Sequence, residues 1–175
     1  MGTDRAVGYR IRQASHADLR ALAEMTVEAW RQTYGAVVDP SVIERQRVGV
    51  RRTVQFWEGL LDHGHYLWLV LSADDRIVGV AGAEPARDAG SPASLELTMI
   101  YLLQEAQGSG IADRLLQIAI GDAPAYLWVL DDNPRAQAFY RRHGFVPDGA
   151  SQPLPDGWRG RCEIRMVRRP EAAED

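Results

Sequence analysis

Apolar positions along this chain recur with two periods, and the switches between them mark its elements. Residues 9–13 alternate with period two and read as a short strand. Ser15 then opens a helix, with Asp18 as the acid three residues on. Leu19, Leu22, Ala23, Met25, Thr26, Ala29 and Trp30 recur at helical spacing, so this helix runs to about Tyr34. Gly35 and Asp39-Pro40 break it. A second helical stretch, about 41–62, carries Val42, Ile43, Val50, Val54, Trp57 and Leu61, with Gly49 as the place where it would split.

The period then changes. Residues 65–72 are a strand by composition, 73–75 a hairpin-type turn, and 76–84 the returning strand. Gly79 and Gly82 inside that strand predict a bulge or a close backbone approach. A polar loop, 85–92, leads to a strand at 95–103, a glycine turn, a helix at 110–120 and a strand at 125–130. Asn133-Pro134 starts the next helix as N-cap and first helical residue, and His143-Gly144 ends it. Strands starting at Phe145 and covering 162–167 flank a loop at 153–160. The order is β-α-α-β-β-β-α-β-α-β-β with no repeat or linker, which reads as one α/β domain over residues 1–175, its core at about 9–168.

Composition narrows the function. At 175 residues and 46% apolar the chain can bury a real core. The ends, 1–8 and 170–175, read as frayed. A net charge of −4 argues against nucleic acid as the main partner and would favour cationic acceptors by steering. The single cysteine, Cys162, excludes an internal disulfide framework and a cysteine-rich zinc site, and its strand position reads as a packed thiol. His63-x-His65 is too sparse for a metal site. With no apolar run of membrane-spanning length and no signal-peptide h-region, the chain reads as soluble and cytoplasmic, with no membrane partner.

The most informative stretch is Gln107-Gly108-Ser109-Gly110-Ile111-Ala112, between a strand and a helix. A glycine turn that opens a helix presents backbone N–H groups at the positive end of a helix dipole, a site for phosphate. No Lys-Ser or Lys-Thr follows the glycines, as a P-loop needs, and Asp113 stands where a dinucleotide fingerprint has its third glycine.

What remains, Q-x-x-G-x-A, resembles the pyrophosphate loop of the GCN5-related N-acetyltransferases, the GNAT superfamily. Three more stretches carry the resemblance: Leu95-Glu96-Leu97 with Ile100-Tyr101-Leu102 as the central strand, Asn133 after the next strand, and Ala138-Phe139-Tyr140-Arg141-Arg142-His143-Gly144-Phe145. Gln104 stands where many members have proline, and Ala112 where many have glycine. The resemblance implies a mixed, twisted sheet of six to seven strands flanked by helices. It also implies acetyl-CoA as co-substrate with no metal, a homodimer, and transfer of acetyl to an amine, here read as that of a small molecule.

Such a reaction must hold a pyrophosphate, take a proton from an ammonium of pKa about 10, and protonate a leaving thiolate. The resemblance assigns the first task to the backbone of Gln107, Gly108, Ser109, Gly110, Ile111 and Ala112. Ile100, Tyr101 and Leu102 would meet the pantetheine arm through main-chain bonds, and Asn133 would hydrogen-bond that arm as well as cap its helix. Glu96 is the candidate base, since alternation sets it on the face opposite Leu95 and Leu97; Glu84 is a weaker substitute. Tyr140 is the candidate acid, with Phe139 as core. Trp30 and Tyr34, four residues apart, line the acceptor pocket in this reading or pack in the core. Trp57 reads as core, and Trp158 either covers the acceptor site or packs on the surface. The runs Arg45–Arg52 and Arg141-Arg142 read as solvated helix faces, the second within reach of a phosphate.

Two other functions compete. A non-catalytic acyl-CoA sensor needs neither Glu96 nor Tyr140. A nicotinamide-dependent oxidoreductase would use Asp131 or Asp132 downstream of the glycine turn, but in a doubly wound parallel sheet.

Overall fold

The computed structural model describes residues 8–86 and 90–169. Of the positions read as frayed ends, 1–8 and 170–175, all but Gly8 lie outside the described residues, as do three positions of the loop at 85–92. Among the described residues, seven strands form one sheet in the order β1-β2-β3-β4-β5-β7-β6. They are β1 (Arg10–Gln13), β2 (Leu67–Leu71), β3 (Ile77–Pro85), β4 (Leu95–Leu102), β5 (Ala125–Leu130), β6 (Val146–Pro153) and β7 (Cys162–Arg168). Every neighbouring pair is antiparallel except β4 and β5. One parallel pair in the middle of an otherwise antiparallel sheet is not the doubly wound arrangement of a dinucleotide-binding domain.

Helices cover both faces, which explains why the central strands are apolar on both sides. On one face α1 (Leu19–Tyr34) and α3 (Val50–Asp62) set Leu19, Leu22 and Trp57 against Leu67, Leu69 and Val80. On the other, α4 (Ile111–Ile120) sets Ile111 and Leu115 against Val70, Val78 and Ala81. There too α5 (Pro134–Arg142) brings Tyr140 to Leu97, Leu127 and Met166.

The helical stretch expected at 41–62 is two helices, α2 (Pro40–Val48) and α3, meeting at Gly49. A Cβ at Gly49 would lie 2.9 Å from the Arg45 carbonyl oxygen, so only glycine lets the chain turn there without a clash. The split lets α3 bury Trp57 on α1 while α2 sends Val42 to Trp158 on another side. At the first helix start, residues 16–18 form a single tighter turn before α1, and the Asp18 carboxylate accepts from the Ser15 N–H at 2.8 Å.

Both glycines flagged in β3 have the expected causes. A Cβ on Gly79 would lie 2.2 Å from Leu102 Cδ2, which is close approach. At Gly82 the register slips: Gly82 faces Met99 and Ala83 faces Leu97, so Thr98 is the extra residue. Its hydroxyl donates to the Gly82 carbonyl at 3.1 Å. The bulge shifts the parity of β4, and Glu96 comes to share a face with Met99 and Tyr101, which pack toward α1.

Candidate active site

The parallel pair opens into the site. β4 and β5 share one rung, Glu96 opposite Tyr126, and then diverge although each strand continues. The gap is a groove of about 740 Å³ whose wall includes Gly108, Gly110, Ile100, Asn133, Arg142 and Tyr140. A second cavity, about 470 Å³, adjoins it on the α1 side and shares Tyr34, Tyr101, Thr98 and Trp128 with it. Glu96 lines this second cavity.

At the groove's outer end the turn has the expected form. Gly108 and Gly110 take φ of +75° and +83°, a region that glycine enters without strain. Gln107, Gly108, Gly110 and Ala112 line the groove. Ser109 and Ile111 do not: the Ser109 hydroxyl donates back to the Ala106 carbonyl at 2.6 Å, and Ile111 is fully buried in the core. The Ile111 N–H donates to Ser109 Oγ at 3.3 Å, so part of the helix N-terminus is satisfied from within. The Gln107 amide donates to the Leu102 carbonyl at 3.0 Å and pins the turn to the end of β4. Asp113, in the first turn of α4, is met by His143 at 2.8 Å and by Arg142 at 3.7 Å.

Ile100, Tyr101 and Leu102 all line the groove past the last shared rung. Asn133 caps α5, its Oδ1 accepting from the Ala136 N–H at 3.1 Å, and also faces the groove. Of the basic pair on α5, Arg142 reaches the groove while Arg141 turns to Gln137. The Arg45–Arg52 run is not purely a solvated face, because Arg45 donates to the Asp156 carbonyl at 3.0 Å and ties α2 to the late loop.

Glu96 is 5% exposed and accepts a hydrogen bond from the Tyr126 hydroxyl at 2.9 Å. A buried carboxylate must be held by donors, and a fully buried tyrosine from the next strand supplies one. Glu84 is the cross-strand register partner of Glu96, which puts a second carboxylate beside it. Tyr140 is more buried than Phe139, and both line the groove. Tyr140 packs edge-on to Phe145, while Phe139 lies against His143 and under Arg142. Burial, with a smaller part from Tyr101, pushes the Tyr140 phenol well above its ordinary value.

Trp30 and Tyr34 meet edge to face at 5.4 Å and both line the second cavity. Trp158 closes it from the late loop, 5.7 Å from Trp30 and 5.3 Å from Tyr34. Burial pushes the Tyr34 phenol up strongly. It also raises that of Tyr101, against the pull of the adjacent Trp30 and Tyr34 donors.

Four further lining residues, Trp128, Gln152, Leu154 and Glu163, were not singled out from sequence. They meet only because β5 pairs with β7 and β7 with β6, setting Glu163 beside both Leu130 and Gln152. Trp128 is steadied by Arg165, which stacks on its ring at 5.6 Å while bound to Asp148. No local motif encodes those registers; a lone glutamate in an apolar strand was the available signal. Among the described residues no group of three or more His, Cys, Asp or Glu is placed to hold a metal ion. No described helix is long and apolar enough to cross a membrane.

Comparison with known proteins places these features. The model of the acetyltransferase (GNAT) family matches residues 21–145. A Mycobacterium tuberculosis protein named a probable N-acetyltransferase is 25% identical over 143 residues, covering 80% of this chain and 81% of that protein. The PaiA N-acetyltransferase of Thermoplasma acidophilum, solved with coenzyme A, superposes with a TM-score of 0.70 at 20% identity. The match covers 94% of this chain and 100% of that one. YncA of Salmonella typhimurium, solved with its cofactor acetyl-CoA, superposes with a TM-score of 0.71 at 21% identity, covering 95% and 98%.

Proposed function

The chain belongs to the acetyltransferase (GNAT) family, and from that premise we propose that it acetylates an amine of a small molecule by direct attack on acetyl-CoA. One observation carries this reading. The groove that carries the Gly108–Gly110 turn and Tyr140 on its wall shares Tyr34, Leu97, Thr98, Tyr101, Trp128 and Leu130 with the cavity that Glu96 lines.

The residues fit acetyl-CoA. Backbone of Gln107, Gly108, Gly110 and Ala112 would meet the pyrophosphate at the start of α4, with Arg142 and Arg135 on the groove wall to complement phosphate charge. Past Glu96, β4 no longer pairs with β5, which supports the reading that main-chain groups of Ile100 and Tyr101 would pair with the pantetheine amides. The thioester supplies an activated acetyl group, and the protein supplies orientation and proton movement.

In this reading Glu96 takes a proton from the acceptor ammonium, directly or through a water. The amine nitrogen then bonds to the thioester carbonyl carbon, the carbon–sulfur bond breaks as Tyr140 gives its proton to the departing sulfur, and the second proton shed by the new amide nitrogen passes through water to restore the Tyr140 phenol. Burial keeps the Tyr140 phenol protonated at neutral pH, so the proton is present to give, and it also makes Tyr140 a weaker acid than an ordinary phenol. Trp30 and Tyr34 line the acceptor side. No covalent acetyl-enzyme forms. We also infer from the family a homodimer, a cytoplasmic site of action and one domain over the whole chain; light scattering tests the first. The catalytic reading is tested by thiol release with acetyl-CoA and a panel of amines. Release that depends on amine and is lost in Glu96→Gln supports it; full activity in both Glu96→Gln and Tyr140→Phe removes the assigned mechanism.

A further inference from the structure

The acceptor cavity has a distinct chemical character. Rings of Trp30, Tyr34, Tyr101, Trp128 and Trp158 form much of its wall. Among the described residues, the charged side chains that line it are both carboxylates, Glu96 and Glu163. The nearby guanidinium groups are committed elsewhere, Arg165 to Asp148 at 2.8 Å and Arg161 to Asp132 at 2.7 Å.

The two carboxylates stand at different levels. Glu96 shares its rung with Tyr126 and Glu163 pairs with Leu130, so they lie four residues apart along β5, about 13 Å. Gln152 donates to Glu163 Oε1 at 2.5 Å and holds one oxygen in place. The field of Glu163 reaches inward, since it helps push up the phenols of both Tyr34 and Tyr101. Aromatic faces and carboxylates both attract organic cations and repel anions.

We propose that this cavity selects an amine bearing a second cationic group, which Glu163 and the rings of Trp30, Tyr34 and Trp158 hold away from the reacting end. The proposal rests on the acetyl-transfer reading for its description of the reacting end. An acceptor with a carboxylate or phosphate in place of the second cation is disfavoured by the same wall.

The test uses three chains of one length: diaminooctane, octylamine and aminooctanoate. Each is titrated into the protein saturated with coenzyme A, following the fluorescence of the tryptophans in the wall. Diaminooctane is expected to bind about tenfold more tightly than octylamine, and aminooctanoate more weakly than either. Glu163→Gln, which keeps shape and loses charge, is expected to bring diaminooctane to the level of octylamine. Equal binding of diaminooctane and octylamine, or tighter binding of aminooctanoate, overturns the proposal. Thiol release measured in parallel separates the two readings. The expected binding order without release upholds this site and removes acetyl transfer; release favouring aminooctanoate does the reverse.

Discussion

Tyr126 donates its hydroxyl to Glu96 across the one rung that β4 and β5 share, at 2.9 Å. That bond sits where the sheet begins to split, so it fixes a carboxylate on the wall of the cavity beside the groove. Glu96→Gln is expected to lower kcat by roughly a hundredfold or more, as loss of a general base does. Tyr126→Phe leaves the buried carboxylate one donor short and is expected to cost about 1–3 kcal/mol of stability, read from denaturant melts. Steady-state rates of the Glu96→Gln variant close to wild type would make the carboxylate structural.

Tyr140→Phe keeps the ring against Leu97 and Phe145 and removes only the hydroxyl. Its melting temperature is expected to match wild type while kcat falls by roughly tenfold to a hundredfold. Because burial raises the pKa of Tyr140, its proton is held beyond the ordinary phenol value of about 10. The basic side of the pH–rate profile up to about pH 10 is therefore expected to run parallel in wild type and variant. A wild-type loss of rate above neutral pH that vanishes in the variant would contradict the assignment.

Gly108 and Gly110 have open space where a Cβ would be added, so their requirement is conformational. Alanine at either position must hold φ near +80° at a cost of about 1 kcal/mol. Each variant is expected to bind acetyl-CoA several-fold more weakly in calorimetry with a small loss of melting temperature. Unchanged affinity in both would place the pyrophosphate elsewhere.

Asp18 offers a pH test of the fold. The Arg12 guanidinium, bonded to it at 2.7 Å, holds its carboxyl far below the usual range; burial opposes this and Ser15 adds to it. The native pKa is depressed, so the stabilisation is full above the unfolded value of about 3.9 and is lost as pH falls toward the native one. Asp18→Asn is expected to cost about 1–2 kcal/mol at pH 7, a gap that narrows below about pH 4. A gap that is constant with pH would show that the charge is not what stabilises.

Much of the fold was legible because helix starts and turns are local. Asn133 caps α5 and Gly110 takes a positive φ at the start of α4, both as the residue types dictate. Gly49 marked a break whose geometry depends on the Arg45 carbonyl, which only the folded helix positions. The wall of the second cavity was harder. Trp30 and Tyr34 share a helix turn and could be paired from spacing, whereas Glu163 and Gln152 meet through strand register. Sheet register is a long-range property, so the wall of the second cavity was the part least visible along the chain.

The most direct measurement of the central claim is a calorimetric titration of the protein with acetyl-CoA, with NADH as control. The groove between β4 and β5 predicts saturable binding of acetyl-CoA and none of NADH. Binding of NADH alone, or of neither, would contradict it.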